Sequence, residues 1–439
     1  MSLAEGQAVE LAIEKPAAGG RMIARHHGQV VLVRGAIPGE RVRAWIERAE
    51  KRLAYAVTRD VIDPSVDRRA GGADPLCGGA LYSHIRYERQ LTIKSEVIRD
   101  AFARLGRYPL EHAVPVAGSP EVAYRMRARF HVHAGRAGFY REGTHQLCDA
   151  APTRQLGDAT VAAVTSLAAA LERDAPEALT SISITENIAA TERAAHLEFA
   201  AGAPIDATTL DRYLEPLGLR GLSARGASAG DPVTAGVPMV TDPLATVTGR
   251  ENGGKVLQRS AESFFQGNRY LLSALVTAVI DAVPDDGEVL DLYAGVGLFS
   301  VALASAGRSE VTAVEGDRAS GADLRENARP FAPRLAVRVQ RVEDYLASRR
   351  GQRTGTVLID PPRTGLSKEA TDGLVRCTPV RVVYVSCDPA TLARDARKLI
   401  DAGYLLDSVR AFDLFPNTPH VEALAVFTRA SATPSVRSD

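Results

Sequence analysis

A chain of 439 residues, 45% hydrophobic and 24% charged, has material for two or three separate cores and is not a disordered tail. Its 53 basic and 53 acidic residues cancel, so any surface for a polyanion has to be local. The first residues lack a basic stretch followed by an apolar run, and no run reaches the length of a membrane span, which implies a cytoplasmic address and no membrane partner. The four cysteines, Cys77, Cys148, Cys377 and Cys387, are too few for a disulfide scaffold, so each is expected to be core, metal ligand or nucleophile.

Residues 1–65 read as short strands at 9–13, 29–33, 41–46 and 55–57, with Pro38-Gly39 as a turn, which predicts a small β-barrel. Arg21, Arg25, Arg34, Arg41, Arg43, Arg48, Lys51 and Arg52 make its polar surface basic, but acids are interleaved, and a solvated face explains the charge as well as RNA does. Residues 66–254 give mixed α+β signals: a helical period over 87–105, a strand at 181–187, and loops rich in Gly, Ala and Pro over 227–243. The 87–106 helix is one that would pack on the domain that follows. Within 124–130, Arg125, Arg127 and Arg129 recur every second residue and would project from one strand face. Such a row invites phosphate; a polar outer face with carboxylate partners is the competing account. Residues 255–430 alternate strands (289–292, 310–314, 356–359, 381–385) with amphipathic helices, which predicts a doubly wound sheet and an α/β class for the chain. Residues 431–439 are small and polar and are expected to be a flexible tail.

The first strand of that sheet runs into Tyr293-Ala294-Gly295-Val296-Gly297 and then a helix from near Leu298, a turn that lets backbone approach a ligand closely. Ser300 stands where a dinucleotide fingerprint has its third glycine, which weakens a pyrophosphate reading. About twenty residues on, Glu315 ends the next strand, where a carboxylate can accept both ribose hydroxyls of a nucleoside cofactor. A nucleoside without pyrophosphate suits S-adenosylmethionine, although the two glycines also serve a plain tight turn. Later strands deliver Asp360-Pro361-Pro362-Arg363 and Ser386-Cys387-Asp388-Pro389 to the same carboxyl edge, where ligands of such sheets bind. A helix from about Ala390 would depress the Cys387 thiol pKa through its N-terminal dipole. Cys377 ends an amphipathic helix and reads as core. A thiolate makes sense where uracil is the substrate: its carbon 5 is a poor nucleophile until something adds to carbon 6, and a base must afterwards remove the carbon 5 proton. Glu422 and His420, just before an apolar strand, supply titratable groups at that edge, or are simply solvated loop residues.

With these residues in view, the chain resembles the bacterial uridine-C5 RNA methyltransferases that carry an N-terminal TRAM domain, similar to the 23S ribosomal RNA enzymes. The resemblance spans nearly the whole chain and rests on Asp360-Pro361-Pro362-Arg363-Thr364-Gly365, on the run from Tyr384 through Cys387 to Asp395, and on Phe415-Pro416 through His420-Val421-Glu422. It implies a Rossmann-like class I methyltransferase domain, an OB-like TRAM barrel and a mixed central domain. It further implies Cys387 as nucleophile, Glu422 as proton acceptor, and Gln266, Tyr293, Glu315 and Asp360, beside Gly295 and Gly297, around S-adenosylmethionine. Arg125, Arg127 and Arg129 look like the family's RNA-binding strand. Many relatives hold an iron–sulfur cluster on four cysteines; here Gly71 and Ala80 stand at two of those positions, so Cys77 and Cys148 read as remnants of a lost site, with no metal or cluster expected. Leu298 also departs from relatives that carry a polar residue there. The expected activity is formation of 5-methyluridine in RNA, ribosomal ahead of transfer RNA, by a monomer. The alternatives are methylation of another base or a small molecule, which leaves Cys387 idle, and a catalytically silent RNA-binding protein on a methyltransferase scaffold.

Overall fold

The computed structural model describes residues 3–176, 178–200, 205–226, 232–308, 310–349 and 354–430; the expected tail at 431–439 and part of the 227–243 stretch lie outside them. Five strands, β1 (Ala8–Pro16), β2 (Met22–His26), β3 (Gln29–Arg34), β4 (Arg41–Ala49) and β5 (Leu53–Asp63), close a barrel in the order β1-β2-β3-β5-β4. Alternation of buried and exposed positions marks β1 from Ala8 to Glu14 and much of β4. In β2 the residues Met22, Ile23 and Ala24 are buried in succession, which is why period-two reasoning missed that strand. Most of the barrel's arginines are matched to acids: Arg21 and Arg34 share Glu47, Arg25 meets Glu14, Arg41 meets Asp63, and Arg43 lies between Glu10 and Asp60.

The next elements are α1 (Tyr87–Arg104), β6 (Val116–Ala117), β7 (Arg127–His133), β8 (Arg136–Tyr140), β9 (Leu147–Cys148), α2 (Asp158–Asp174), β10 (Leu179–Glu186), β11 (Arg193–Phe199), α3 (Ala207–Asp211), α4 (Leu214–Leu217), β12 (Gly221–Arg225), β13 (Val233–Gly236), β14 (Met239–Pro243), α5 (Leu244–Thr248) and β15 (Val256–Ser260). Seven of these strands make one sheet, β13-β12-β11-β10-β7-β8-β9, whose core joins Phe130, Ile182 and Ile184 to Val164, Leu167 and Leu171 of α2. Strands β13 and β14 occupy a stretch expected to be loop. Helix α1 packs on the barrel core through Ile93 and Val97 and on the last domain's core through Ile98 and Phe102.

The cysteine expectation needs correction. Cys77 forms an isolated bridge with Arg141, and Cys148 on β9 pairs with Phe139; this brings their Cα atoms to 5.8 Å, and the two thiols form a disulfide. Both lie buried in the core of this sheet, joined as a disulfide and not held as free ligands or nucleophiles; segments remote in sequence put them together. Among the described residues, no three or more His, Cys, Asp or Glu side chains are arranged to hold a metal.

The last elements are α6 (Leu272–Ala282), β16 (Glu288–Leu292), α7 (Leu298–Ser305), β17 (Glu310–Glu315), α8 (Arg318–Ala328), β18 (Leu335–Val339), α9 (Val342–Ser348), β19 (Thr356–Ile359), α10 (Lys368–Arg376), β20 (Arg381–Ser386), α11 (Pro389–Asp401), β21 (Tyr404–Phe412) and β22 (Glu422–Arg429). Their sheet runs β18-β17-β16-β19-β20-β22-β21-β6, parallel from β18 to β20, with β22 antiparallel. The edge strand β6 comes from far earlier in the chain and pairs with Ala411 and Phe412. Central strands are buried on both faces, so Val357, Leu358, Ile359, Val382 and Val383 read as unbroken apolar runs. Each such side chain contributes about 1.5–3 kcal/mol at most. Strand order reverses between β16 and β19, and the crevice at that point is where such sheets bind ligands. Among the described residues, no helix is long and apolar enough to cross a membrane.

Candidate active site

A cleft of about 1130 Å³ opens at the carboxyl ends of β16, β17, β19 and β20, between this sheet and β7–β8. It gathers Arg125, Arg127, Arg129, Gln266, Tyr293, Gly295, Glu315, Asp360, Cys387 and Glu422 along its walls. Gly297 is the N-cap of α7 at φ 92°, a strained value for any residue with a side chain, and a Cβ there would lie 2.7 Å from Leu324 Cδ1 and force it to shift, which favours glycine. Gly295 is also left-handed, at φ 57°, but a Cβ there would meet nothing within 4 Å: its missing side chain leaves open cleft. Tyr293 holds φ 64°, a strained value for a side-chain-bearing residue and the kind found at ligand sites.

Glu315 ends β17 with one carboxylate oxygen accepting from Gly295 N at 2.7 Å and the other from Asp317 N at 2.6 Å. The carboxylate is thus held rigid and tied to the Gly-rich turn. Gln266 Nε2 donates to Asp360 Oδ2 at 3.3 Å. Burial pushes the Asp360 carboxyl up to about 7, and Asp291 on β16 is raised to the same value, again first by burial. Asp291 carries no signal in the sequence beyond its place in an apolar strand.

Register brings the other pair together: Ser386 pairs with Ala423, so Cys387 and Glu422 extend from the same end of β20 and β22. Glu422 is 1% exposed, its Oε1 has no hydrogen-bond partner among the described residues, and burial, then the Asp360 carboxylate, raises its pKa well above the usual range. For the Cys387 thiol, the expected depression of its pKa by the helix gives way to a rise. Burial, then Glu422, push its thiol up to about 11, while Arg363, which hydrogen-bonds it, opposes the rise. The residue precedes Asp388, the N-cap of α11, whose carboxylate already accepts from Thr391 N at 2.8 Å. His420, the other titratable candidate, is lowered to about 4 by burial and then Arg363, whose Nη2 lies 2.9 Å from its Nδ1.

The segment leading to Glu422, Asp413 to Val421, is irregular, so its shape depends on side chains from elsewhere. Lys94 Nζ donates to Asp413 Oδ1 at 2.5 Å and to Phe415 O at 3.2 Å. Asn417 is left-handed at φ 64°; its N–H donates to Gln90 Oε1, its Oδ1 accepts from Gln90 and Arg69, and its carbonyl accepts from Tyr82 N. Tyr124 donates to Pro416 O and Asn268 to Leu414 O.

The arginine row is split. Strand β7 begins at Arg127; Arg125 instead bridges to Asn268, with Nε donating to Arg127 O and Nη1 to Gln155. Arg127 donates to Ser263 O and lies over the Phe264 ring at 5.8 Å. Arg129 meets Glu198. All three border the cleft, and among the described residues Arg129 alone of the three has a carboxylate partner. Arg363, Phe264 (60% exposed) and Phe415 also line it and were not singled out from the sequence. Arg363 was in view within its motif; an exposed Phe has no sequence signature.

Residues 337–430 match the tRNA (Uracil-5-)-methyltransferase family, and residues 3–57 match the TRAM domain. An uncharacterized RNA methyltransferase of Streptomyces coelicolor is 32% identical, over 97% of this chain and 94% of that protein. The 23S rRNA (uracil(1939)-C(5))-methyltransferase RlmD of Alkalilimnicola ehrlichii is likewise 32% identical, over 96% of each chain. In fold, the chain matches the Pyrococcus abyssi tRNA (uracil-54, C5)-methyltransferase, solved with S-adenosyl-L-homocysteine, at a TM-score of 0.71 and 24% identity over 96% of this chain and all of that one. With a closed barrel ahead of a Rossmann-like sheet and relatives aligned end to end, the chain belongs to the TRAM-containing, S-adenosylmethionine-dependent RNA (uracil-C5) methyltransferase family.

Proposed function

We propose that this protein methylates carbon 5 of a uridine in 23S ribosomal RNA through a covalent adduct between Cys387 and carbon 6 of the base. The observation that carries the reading is the convergence of Cys387, Glu422, Asp360 and Arg363 on one cleft at the sheet's carboxyl edge. S-adenosylmethionine supplies an electrophilic methyl group, and Gln266, Tyr293, Gly295, Gly297, Glu315 and Asp360 would hold it. These residues fit: Glu315 is a fixed carboxylate suited to ribose hydroxyls, Gly295 leaves space, and Val296, Leu298 and Phe299 offer an apolar wall. Leu298 therefore fills the place of a polar residue without emptying the site.

In this reading Cys387 gives up its proton to water beside Arg363, the thiolate adds to carbon 6, and the electron pair of the 5,6 double bond makes carbon 5 the nucleophile toward the methyl group that S-adenosylmethionine would supply, its sulfonium leaving as the neutral thioether. Glu422 then accepts the carbon 5 proton; its raised pKa makes it a stronger base than a solvated carboxylate. Elimination restores the double bond and releases Cys387. Arg363 faces the thiol and stabilises its negative charge on departure and return. Arg125, Arg127 and Arg129 hold the RNA backbone beside the extruded base. Residues 1–65 and 66–254 serve RNA binding and 255–430 the chemistry. Ribosomal RNA is preferred because the full-length relatives aligned over the barrel include the RlmD enzymes. A monomer belongs to the same reading, and a ribosomal substrate supports a cytoplasmic address.

The test is transfer of labelled methyl from S-adenosylmethionine to separate pools of undermethylated 23S ribosomal RNA and transfer RNA, followed by nucleoside analysis. Label in 5-methyluridine of the ribosomal pool, lost with Cys387→Ala, is expected. Undiminished label in Cys387→Ala, or label on another base, refutes the covalent mechanism; label in transfer RNA alone refutes the substrate.

A further inference from the structure

We propose that His131 and Tyr140 form a stacking subsite for a nucleobase of the substrate RNA next to the target uridine. The proposal rests on the RNA-binding part of the function proposed above. The alternation that turns Arg127 and Arg129 toward the cleft carries His131 to the same face of β7. Directly opposite His131 on β8 stands Gly138, which presents no side chain, and the imidazole lies across it onto Tyr140. The two rings are stacked at 3.7 Å with 10° between their planes, and His145 meets Tyr140 edge-on at 5.3 Å.

Packing does not account for this pair. The sheet's apolar core takes Phe130, the residue before His131, on the opposite face, whereas both rings of the pair are half-buried and border the cleft. His131 is held below its usual pKa by burial and then by Arg129, so the ring is neutral and presents a π-face, not a charge. A flat aromatic step flanked by guanidiniums is the arrangement that takes a base and its phosphate together. His131 lies about 13 Å along the strand from Arg127, and the proposal assigns this step to a neighbouring nucleotide and the Cys387 end of the cleft to the uridine.

The experiment compares wild type with His131→Ala/Tyr140→Ala and with His131→Phe/Tyr140→Phe. One arm is equilibrium binding of a fluorescein-labelled undermethylated 23S ribosomal RNA fragment without turnover, over a range of salt. The other is the KM and kcat of methyl transfer to the same RNA. The alanine pair is expected to weaken binding and raise KM roughly tenfold with kcat unchanged and the salt slope retained, since stacking releases no counterions. The phenylalanine pair retains wild-type affinity. Wild-type affinity in the alanine pair, a flattened salt slope, or equal loss in the phenylalanine pair overturns the proposal. RNA binding that depends on the pair in a protein that methylates no uridine would overturn the methylation reading alone.

Discussion

Replacing Lys94 with Met isolates how the active-site segment is held. Lys94 and Asp413 are 1% and 0% exposed at the side chain and 2.5 Å apart, so water screens neither. Removal of one partner from a buried pair leaves the other uncompensated and costs about 3–5 kcal/mol, against ~0–1 kcal/mol for a surface pair. Asp413 also accepts from Phe415 N at 3.2 Å, so the loss falls on the segment leading to His420 and Glu422. In hydrogen–deuterium exchange at residues 413–421 that energy appears as opening roughly a hundredfold or more easier, at about 1.4 kcal/mol per tenfold. The pH dependence has a defined sign. Burial already raises the Asp413 carboxyl, and without Lys94 it rises further; protonation is the escape, so the deficit is small near pH ~4 and grows as pH rises above the unfolded aspartate value. Lys94→Met/Asp413→Leu, which removes both charges, recovers most of the protection. A change under tenfold in the single variant, or a double variant no better than the single, would refute the reasoning.

Glu422→Gln should lower kcat by about 10²–10⁴ while a covalent protein–RNA species, seen as a band of reduced mobility in denaturing gels, persists; turnover near wild type sinks its role as base. Iodoacetamide labelling of Cys387 in RNA-free protein should rise toward strongly alkaline pH, following a thiol raised to about 11. Glu422→Gln removes a charge that raises the thiol and should speed labelling, whereas Arg363→Met should slow it; opposite directions would contradict the electrostatics. Gly297→Ala, at φ 92° and with Leu324 Cδ1 2.7 Å from the new Cβ, should cost about 1–3 kcal/mol in urea denaturation. Gly295→Ala, whose Cβ meets nothing within 4 Å, should weaken S-adenosylmethionine binding more than stability, as isothermal titration calorimetry will read.

The sequence by itself determined the α/β class, the alternation that builds the Rossmann-like sheet, and the delivery of Gly295, Asp360 and Cys387 to its carboxyl edge. These are local matters: a strand's hydrophobic run and the turn after it lie within about ten residues, so period and turn chemistry reveal them. Only the tertiary structure decided what depends on residues far apart in the chain. The disulfide of Cys77 with Cys148 needs strands β8 and β9 folded beside the earlier loop. Lys94 and Gln90 grip Asp413 and Asn417 across more than three hundred residues, and β6 extends a sheet whose other strands come much later. The Cys387 thiol shows the reason most directly. Sequence places it before a helix N-terminus, a neighbour that lowers a pKa; folding adds burial and the Glu422 carboxylate, which raise it more, because desolvation and charge act through space and not along the chain.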